Sequence, residues 1–556
     1  MTLRQACATD ASGSVFRFVD PDWWRGAVIY QIYIRSFQDS NADGIGDLRG
    51  IEQRLPYVAS LGADVIWISP FMPSPMKDFG YDVSDYRDVA PELGSLEDFD
   101  HLVETTHRHG LRLFIDLVLN HTSDQHPWFR ESRSNRENRK SAWYVWSDPK
   151  PDGTPPNNWL SIFGGSAWSW DARREQYYLH NFLASQPDLN FHCKDVQDAI
   201  LEVAKFWLDR GVDGFRLDTI NFYFHDKSLR DNPPLPADER NPSIAPRVNP
   251  YNYQEHIYSK NQPENLDFLK RLRGVMDSCG AIAFGEIGEA QNGLRLLGEY
   301  TSSRDKAHMC YAFEFLSQEL PTATRCAKIL QRFNRAAPDG WACWSISNHD
   351  VVRHTSRWEL TPEAEKAFCT LMMCLRGTVC LYQGEELGLP EAELSFEQIR
   401  DPYGREFWPE FKGRDGCRTP MSWSHSEPHA GFSTADATWL PLDEKHLAKT
   451  VSQQEANPSS LIHHYRKAIR LRSECKAMRI GDLDAVSVHG DVLTFERSFQ
   501  SERAFCAFNL SDHSVEVSVP QNGWHMFGDE VGAASNLTNG RVELKPWQTF
   551  FARKSH

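Results

Sequence analysis

The stretch GVDGFRLD, residues 211–218, joins the apolar pattern of a buried strand to two charged residues at its end. Because an extended chain directs residues i and i+2 to one face, Arg216 and Asp218 are expected to project together beyond the strand. A neighbouring cation favours an ionised carboxylate, and an ionised carboxylate at such a place is a candidate nucleophile. Taken alone, the pair is more typical of an internal salt bridge, so a catalytic role for Asp218 needs support from the rest of the chain.

Seven further apolar runs have the character of buried strands, and amphipathic segments that predict helices separate them. Such strands interleaved with helices are typical of a parallel sheet covered by helices, and eight units are the count of a (β/α)8 barrel. We therefore predict an α/β fold built on a TIM barrel. An open doubly wound sheet is the alternative, but no Gly-x-Gly-x-x-Gly follows the first run. The eight runs are 27–37, 63–71, 112–121, 212–219, 282–289, 310–315, 341–350 and 378–388.

Long connections and a change of pattern predict three domains. The segment after the third strand is too long for a structureless loop, and we interpret it as a subdomain inserted at 122–187. From about residue 481, alternation of apolar and polar residues with period two predicts an antiparallel β domain over 481–556. The barrel would then comprise 1–121 and 188–480.

The composition excludes several classes of partner. The chain has 556 residues and a formal net charge of −16, which disfavours nucleic acid and anionic membranes. No apolar run has membrane-span length, and the N-terminus lacks the pattern of a signal peptide. The 12 cysteines include no C-x-x-C pair and are interpreted as reduced core thiols, which predicts a cytoplasmic protein.

Acidic residues stand at the ends of four predicted strands, where barrel enzymes carry their chemistry. They are Asp116, Asp218, Glu286 and Asp350. Burying like charges together costs free energy unless the charges serve a reaction. Converging carboxylates suggest either a divalent metal or acid/base work on a glycosidic bond. Arg216 beside Asp218 argues against the metal, because one cation would repel the other.

Motifs along nearly the whole chain resemble those of the α-amylase family of glycoside hydrolases (glycoside hydrolase family 13), in particular its α-glucosidase and oligo-1,6-glucosidase group. The resemblance implies a retaining mechanism on α-glucosides, a barrel with an inserted B domain after strand three, and a C-terminal β-sandwich. The motifs are WWRGAVIYQIYIRSFQDSNADGIGDLRGI (23–51), FGYDVSDY (79–86), DLVLNH (116–121), QPDLN (186–190), GVDGFRLD (211–218), GE (285–286), SNHD (347–350) and RTPMSW (418–423).

By their places in these motifs, three carboxylates are implied to be catalytic. Asp218 corresponds to the nucleophile, Glu286 to the general acid/base, and Asp350 to a third carboxylate that binds sugar hydroxyls. Retention requires the first two carboxyls to lie about 5–5.5 Å apart, which adjacent strands can supply. Glu286 is expected to have the higher pKa, while Arg216 holds Asp218 ionised. Glu289 is a competing acid.

The same resemblance implies the residues that surround one glucose. Tyr81 would stack beneath the sugar, and Asp78 and Arg418 would hydrogen-bond it. Asp78 with Arg418 would also close the pocket behind a single sugar, which predicts exo-cleavage, whereas an open groove would indicate endo-action. The remaining implied substrate contacts are hydrogen bonds from His121 and His349, further contacts from Arg216 and Thr219, and an entrance lined by Phe163, Phe182 and Gln186.

Thr219, the residue after the nucleophile, indicates which linkage is cut. Threonine here goes with α-1,4 preference in related enzymes and valine with α-1,6, so short maltose-like α-glucosides are the expected substrates, with sucrose open. A covalent glucosyl-Asp218 can be opened by water or by another alcohol, so transglucosylation stays open beside hydrolysis. A glucosyltransferase or isomerase acting on sucrose or trehalose is the alternative. A non-catalytic relative acting as a binding partner is disfavoured, because all three carboxylates are kept.

An Asp/Asn-rich loop carries a separate signal. Oxygen ligands at Asp39, Asn41, Asp43 and Asp47, with the carbonyl of Ile45, have the spacing of a calcium loop, although the usual final glutamate is absent. The α-glucosidase group has a metal in this loop, so we predict structural Ca²⁺ or Mg²⁺. The alternative is a turn without metal. No organic cofactor is expected, and the protein is expected to be a monomer or a homodimer.

Overall fold

The computed structural model describes residues 8–9, 15–16, 20–289, 291–311, 313–520 and 523–555. Eight parallel strands within them form one sheet. Seven of them lie inside the runs predicted from the sequence, and the sixth begins one residue before its run, at Met309. They are β1 (Val28–Ile32), β2 (Val65–Ile68), β3 (Arg112–Leu117), β4 (Gly214–Leu217), β5 (Ile282–Glu286), β6 (Met309–Tyr311), β7 (Cys343–Trp344) and β8 (Thr378–Tyr382).

The eight strands close into a barrel. Their order across the sheet is β6-β5-β4-β3-β2-β1-β8-β7, so the open edges belong to β6 and β7. A parallel bridge between Cys310 of β6 and Ala342, the residue before β7, joins these two edges. The predicted (β/α)8 fold is therefore confirmed.

Seven helices connect consecutive strands and an eighth follows β8, each packing an apolar stripe against the outside of the barrel. Local signals fix their ends: α2 begins with a capping box between Ser95 and Asp98, and α1 ends at Gly62, which is left-handed (φ 92°). The helices are α1 (Leu48–Leu61), α2 (Leu96–Arg108), α3 (Lys194–Leu208), α4 (Glu264–Cys279), α5 (Gly293–Thr301), α6 (Ala323–Ala336), α7 (Pro362–Cys374) and α8 (Leu461–Glu474).

The barrel interior positions the site. Alternate strand residues, including Trp67, Phe114 and Phe284, fill the inside as one cluster. Gly214 belongs to this inner face, since a Cβ there would lie 2.4 Å from the Phe114 ring. Because side chains alternate along a strand, the residues two positions beyond this layer, among them Arg216, also point inward at the carboxyl ends.

The long connections form their own structure at the carboxyl end of the barrel. Between β3 and α3, the chain forms a helix (Pro127–Ser132) and an antiparallel sheet of three strands, Trp146–Ser147, Gln176–Leu179 and Trp168–Asp171. The boundaries 122 and 187 of this inserted domain stay a prediction. The other short helices are Ile34–Ser36, Pro250–Tyr253, Ser302–Arg304, Phe313–Phe315, His354–Arg357, Pro402–Glu406, Asp415–Cys417, Pro428–Gly431, Glu444–Leu447, Val451–Glu455, Lys476–Ile480 and Asp529–Val531.

The C-terminal part consists of two antiparallel sheets. Residues from both sheets, including Phe505 and Phe550 on one and Val517 and Val542 on the other, form a single apolar cluster, which makes the pair a β-sandwich. A short strand pair, Ala8–Thr9 with Val15–Phe16, precedes the barrel. The sandwich strands are Asp482–His489, Val492–Phe499, Glu502–Asn509, Thr549–Ser555 and His525–Phe527 in the first sheet, and Val515–Ser518, Arg541–Leu544 and Leu537–Thr538 in the second.

Among the residues that the structure describes, no helix combines the length and the apolar character needed to cross a membrane.

Candidate active site

One buried arginine lies among three carboxylates at the carboxyl ends of β3, β4 and β5. Arg216 Nη1 is 3.0 Å from Asp116 Oδ1 and 2.5 Å from Asp218 Oδ1, and its Nη2 is 2.6 Å from Glu286 Oε2. The Arg216 side chain is 1% exposed. The sequence predicted that Arg216 would pair with Asp218 alone, but in the structure Arg216 bridges Asp218 and Glu286. The two carboxyls therefore face each other across one planar group.

Burial gives the carboxyls of Asp218 and Glu286 different pKa values. It raises the pKa of Glu286 to about 8, an effect that Arg216 opposes and the nearby Asp218 and Asp350 reinforce. It also raises the pKa of Asp218 to about 6 against the effect of Arg216. At neutral pH, Glu286 therefore carries a proton and Asp218 a charge, in the order expected from the sequence.

Glu286 is held by two further donors. The Tyr311 hydroxyl donates to its Oε1 at 3.1 Å, and the backbone N–H of Thr219 donates to its Oε2 at 3.3 Å. The Thr219 hydroxyl donates to Asp218 Oδ2 at 3.2 Å. Thr219 therefore touches both carboxyls, which gives the residue after the predicted nucleophile a direct part in their geometry.

Asp350 lies in a different electrostatic setting. Arg418 Nη2 is 2.9 Å and Arg414 Nη1 3.2 Å from its Oδ1, and His349 Nε2 is 3.2 Å from its Oδ2. Against the effect of burial, His349 and the arginines hold the pKa of Asp350 well below its usual range. Asp350 is therefore an ionised hydrogen-bond acceptor.

A cavity of about 850 Å³ opens above Asp218, Glu286 and Asp350 and is lined by all three. Six of the predicted substrate-binding residues also line it, namely Asp78, Tyr81, His121, Phe163, Phe182 and Thr219. The other four, Gln186, Arg216, His349 and Arg418, are almost completely buried and lie behind the cavity wall. These four support the lining residues through the contacts described here.

The cavity lining contains an ion pair that differs from the expected one. Asp78 Oδ1 lies 2.7 Å from Arg414 Nη2, and Gln186 Nε2 donates to Asp78 Oδ2 at 3.0 Å. The sequence paired Asp78 with Arg418, whose Nε instead donates to the His349 carbonyl at 2.7 Å. Asp78 is therefore paired with Arg414 and not with Arg418, and closure of the pocket behind one sugar stays a prediction.

The floor of the cavity is a stacked pair of rings. Tyr81 and His349 are nearly parallel, with 5.4 Å between ring centroids and 3° between planes. The Tyr81 hydroxyl donates to Asp116 Oδ2 at 3.0 Å and is 2.6 Å from His349 Nε2. His121 Nε2 lies 3.1 Å from the Tyr81 carbonyl oxygen. The ring expected beneath a sugar is thus fixed on several sides.

Aromatic rings line the entrance. Phe163 packs on Tyr403 with centroids 4.8 Å apart, and Phe182 packs on Phe222 at 5.7 Å. The Arg414 guanidinium carbon is 5.2 Å from the Phe163 ring centroid. Phe163 and Phe182 come from the segment inserted after β3, so that segment covers the carboxylates from above, as the resemblance implies.

Comparison with known proteins identifies the family. The family described as "Alpha amylase, catalytic domain" matches residues 31–481. The chain belongs to the alpha-amylase family. This family member is 60% identical over 539 residues to a "Probable alpha-glucosidase" of Rhizobium meliloti strain 1021 (96% of this chain, 97% of the relative).

Two further comparisons agree with this family. The chain is 37% identical to an "Oligo-1,6-glucosidase" of Heyndrickxia coagulans (91% of this chain, 95% of the relative). The crystal structure of the "alpha-glucosyl transfer enzyme, XgtA" superposes with a TM-score of 0.93 at 51% identity (96% of this chain, 99% of that chain). The resemblance inferred from the eight motifs is confirmed.

Two residues of this alpha-amylase family site were not identified as functional from the sequence. Arg414 lies four residues before Arg418, the first residue of RTPMSW, and this proximity was the only signal in the sequence. Tyr311 ends β6, so its position at an inward-facing strand end was the available signal. The competing acid Glu289 is instead paired with Lys260 at 3.4 Å, and against the effect of burial this pairing lowers its pKa to about 2. Glu289 therefore carries no proton at neutral pH, which favours Glu286 as the acid.

The Asp/Asn-rich loop of this family member has the donor types of a hard-cation site. Asp39 Oδ1 accepts from the N–H of Asn41 at 2.9 Å, and Asp43 Oδ1 accepts from that of Ile45 at 2.8 Å. Asp47 Oδ1 caps α1 by accepting from Gly50 N–H at 2.7 Å. These oxygens bond to the loop's own backbone, and within the described ranges no three acidic, histidine or cysteine side chains converge as a metal cluster.

Proposed function

We propose that the protein is a retaining, exo-acting α-glucosidase that releases glucose from the non-reducing end of short α-glucosides. The observation that carries this proposal is the pair Asp218 and Glu286, bridged by Arg216 beneath a cavity that Asp78 and Arg414 line. Membership of the alpha-amylase family and 60% identity to a probable alpha-glucosidase support it.

The proposed reaction has two steps. In the first, the ionised Asp218 carboxylate forms a bond to the anomeric carbon while the glycosidic bond breaks and its oxygen takes the proton of Glu286. In the second, Glu286 accepts a proton from a water molecule, whose oxygen attacks the anomeric carbon and releases Asp218. Inversion at each step leaves an α-configured product. Asp350, kept ionised by Arg414 and Arg418, would accept hydrogen bonds from the sugar hydroxyls.

The specificity proposed is for maltose-like substrates. We propose that the Asp78–Arg414 pair closes the cavity behind one glucose, which favours exo-cleavage. Thr219, by its place after the nucleophile, favours the α-1,4 linkage over the α-1,6 linkage. Sucrose, which is also an α-glucoside, stays within the proposed range.

Glucosyl transfer is a second candidate for the same intermediate. The structural similarity to the alpha-glucosyl transfer enzyme XgtA, at 51% identity, favours it. Any alcohol that enters the aromatic entrance in place of water would take the glucosyl group from Asp218. Hydrolysis and transfer then differ only in the acceptor.

We further propose that the loop at residues 39–47 binds structural Ca²⁺ or Mg²⁺. The oxygen-only donor set of Asp39, Asn41, Asp43, Asp47 and the Ile45 carbonyl supports this proposal. A cation there would tie the loop after β1 to the start of α1, where Asp47 already caps the helix.

A cytoplasmic location is also proposed. The 11 cysteines at described positions are all free, as expected for a reducing compartment. The net charge of −16 favours neutral solutes over nucleic acid, and the assembly proposed is a monomer or a homodimer.

The test combines product analysis with one variant. Maltose, sucrose, isomaltose and trehalose are incubated with the enzyme, and ¹H NMR identifies the first-formed glucose anomer. We expect α-glucose from maltose, and loss of at least about 10⁴-fold in kcat for Asp218→Asn with unchanged folding. Asp267→Asn, an exposed residue of α4, is the matched control. A β-configured first product, or substantial hydrolysis by Asp218→Asn, would refute the assignment.

A further inference from the structure

A buried polar cluster lies beside the reacting groups and contacts neither Asp218 nor Glu286. It consists of Asn221, Lys260, Asn261 and Glu289, and we refer to it as the turn clamp. Asn221 follows Asp218 by three residues, and Glu289 follows Glu286 by three. The clamp therefore connects the turn that carries the proposed nucleophile to the turn that carries the proposed acid.

The Asn221 side chain binds both backbone polar groups of Gly288, its N–H and its carbonyl. Its Oδ1 accepts from the Gly288 N–H at 3.1 Å, and its Nδ2 donates to the Gly288 carbonyl at 3.3 Å. The same Nδ2 donates to Asn261 Oδ1 at 2.7 Å. Asn221 is fully buried, so its amide is committed to these partners.

Lys260 and Asn261 hold the same turn from the other side. Lys260 Nζ donates to the Gly288 carbonyl at 2.7 Å and forms an ion pair with Glu289 at 3.4 Å. Asn261 Nδ2 donates to Glu289 Oε2 at 2.7 Å. The backbone of Gly288, two residues beyond Glu286, is therefore hydrogen-bonded by side chains from two separate segments, which contain Asn221 and Lys260.

The cost of this arrangement argues for a role beyond stability. Lys260 is 3% exposed, and burying a lysine with its carboxylate partner gives little net stability compared with apolar residues of similar volume. What the clamp supplies is a fixed relation between two turns, because the directed hydrogen bonds tolerate little displacement.

We propose that Lys260 and Asn221 are positioning residues that fix the turn after β5 so that the Glu286 carboxyl points at the glycosidic oxygen. The inference rests on the proposed α-glucosidase function. Direct contacts already couple the two turns near the carboxyls, since Ile220 N–H donates to the Glu286 carbonyl at 3.0 Å. The clamp secures the far end of the same turn and so adds to the direct contacts that hold Glu286.

A misplaced acid has a kinetic signature that general destabilisation lacks. Cleavage of maltose expels a sugar alkoxide and requires full protonation of the leaving oxygen, whereas 4-nitrophenolate leaves readily as an anion. Loss of general-acid catalysis therefore slows maltose cleavage far more than cleavage of 4-nitrophenyl α-glucoside. A loss of folded enzyme or of nucleophile reduces both reactions by the same factor.

The experiment compares kcat/KM on these two substrates for Lys260→Met and Asn221→Ala. We expect kcat/KM for maltose to fall by about 10²-fold, as for a displacement of about 1 Å in a catalytic group, and the aryl/maltose ratio to rise at least about tenfold. Lys227→Met, an exposed lysine of the same β4–α4 connection, should leave the ratio unchanged. Thermal melting of each variant reports folding separately.

Each outcome decides the inference. A higher aryl/maltose ratio in either folded clamp variant supports it, and Asn221→Ala decides alone if Lys260→Met does not fold. Equal losses on both substrates, or none, overturn the positioning role while leaving the α-glucosidase function intact. If the wild-type enzyme cleaves neither substrate, the proposed function fails first and the inference fails with it.

Discussion

The pH dependence of kcat/KM tests the electrostatic arrangement of the site. Burial raises the pKa of Asp218 to about 6 and that of Glu286 to about 8, against the effect of Arg216 in both cases. The reactive form has Asp218 ionised and Glu286 protonated. Activity is therefore expected between these two values, falling as pH drops through the lower pKa because the nucleophile gains a proton. It also falls as pH rises through the upper pKa, because the acid loses its proton.

The magnitude follows from simple titration. One unit below a pKa near 6, about one-eleventh of Asp218 is ionised, so kcat/KM at pH 5 should be about a tenth of its plateau value. By the same reasoning, kcat/KM at pH 9 should be about a tenth of the plateau, because about one-eleventh of Glu286 keeps its proton.

The assay is initial-rate hydrolysis of maltose well below KM, from pH 4.5 to 9.5 at constant ionic strength, because its sugar leaving group requires the proton of Glu286. Glu286→Gln removes the titrating acid, so its profile should lose the basic limb and keep the acidic one. Glu202→Gln, an exposed carboxylate of α3, should keep both limbs. A basic limb that persists in folded Glu286→Gln would assign that limb to another group and refute the reasoning.

Three further perturbations test the pocket, the linkage preference and the loop. Arg414→Met leaves Asp78 buried without its cation, so urea unfolding should show a loss of about 3 kcal/mol, and KM for maltose should rise; unchanged values would show that the pair closes nothing. Thr219→Val removes the hydroxyl that donates to Asp218 and should raise the isomaltose/maltose ratio of kcat/KM, whereas an unchanged ratio would remove this residue from linkage choice. Chelation by EDTA should lower the melting temperature by a few degrees, with recovery on adding Ca²⁺ or Mg²⁺, if the loop at 39–47 binds a cation; an identical melting curve would contradict that proposal.

The barrel was predictable because its strands are buried on both faces. Seven of the eight strands lie within their predicted apolar runs and β6 begins one residue earlier, since continuous burial leaves an unbroken apolar signal. The predicted runs were too long at their carboxyl ends, as at 118–121 and 287–289. Residues there lie beyond the parallel strands of the barrel, and they form the turns that carry the site.

The side chains that act across the site were harder to predict. Arg414 meets Asp78 across 336 positions of the chain, through a loop after β8 whose path the sequence pattern does not specify. Arg418, four residues further along the chain, was the expected partner of Asp78, but its guanidinium is directed to the His349 carbonyl and to Asp350. Periodicity defines which face of a strand a residue occupies, and it carries no such information for a loop.

The charge balance around Arg216 explains why Glu286, and not another carboxyl, becomes the acid. One guanidinium charge serves Asp116, Asp218 and Glu286, so three ionised carboxylates would leave uncompensated negative charge in a buried space. Burial raises the pKa of all three, but to about 6 for Asp116 and Asp218 and to about 8 for Glu286. Asp350 does not take the proton instead, because Arg414 and Arg418 keep it ionised beside Glu286. The proton therefore resides on Glu286, because the site supplies too few cations to balance all of its carboxylates. For the same reason, Asp218 is ionised as a nucleophile and Glu286 is protonated as an acid at neutral pH.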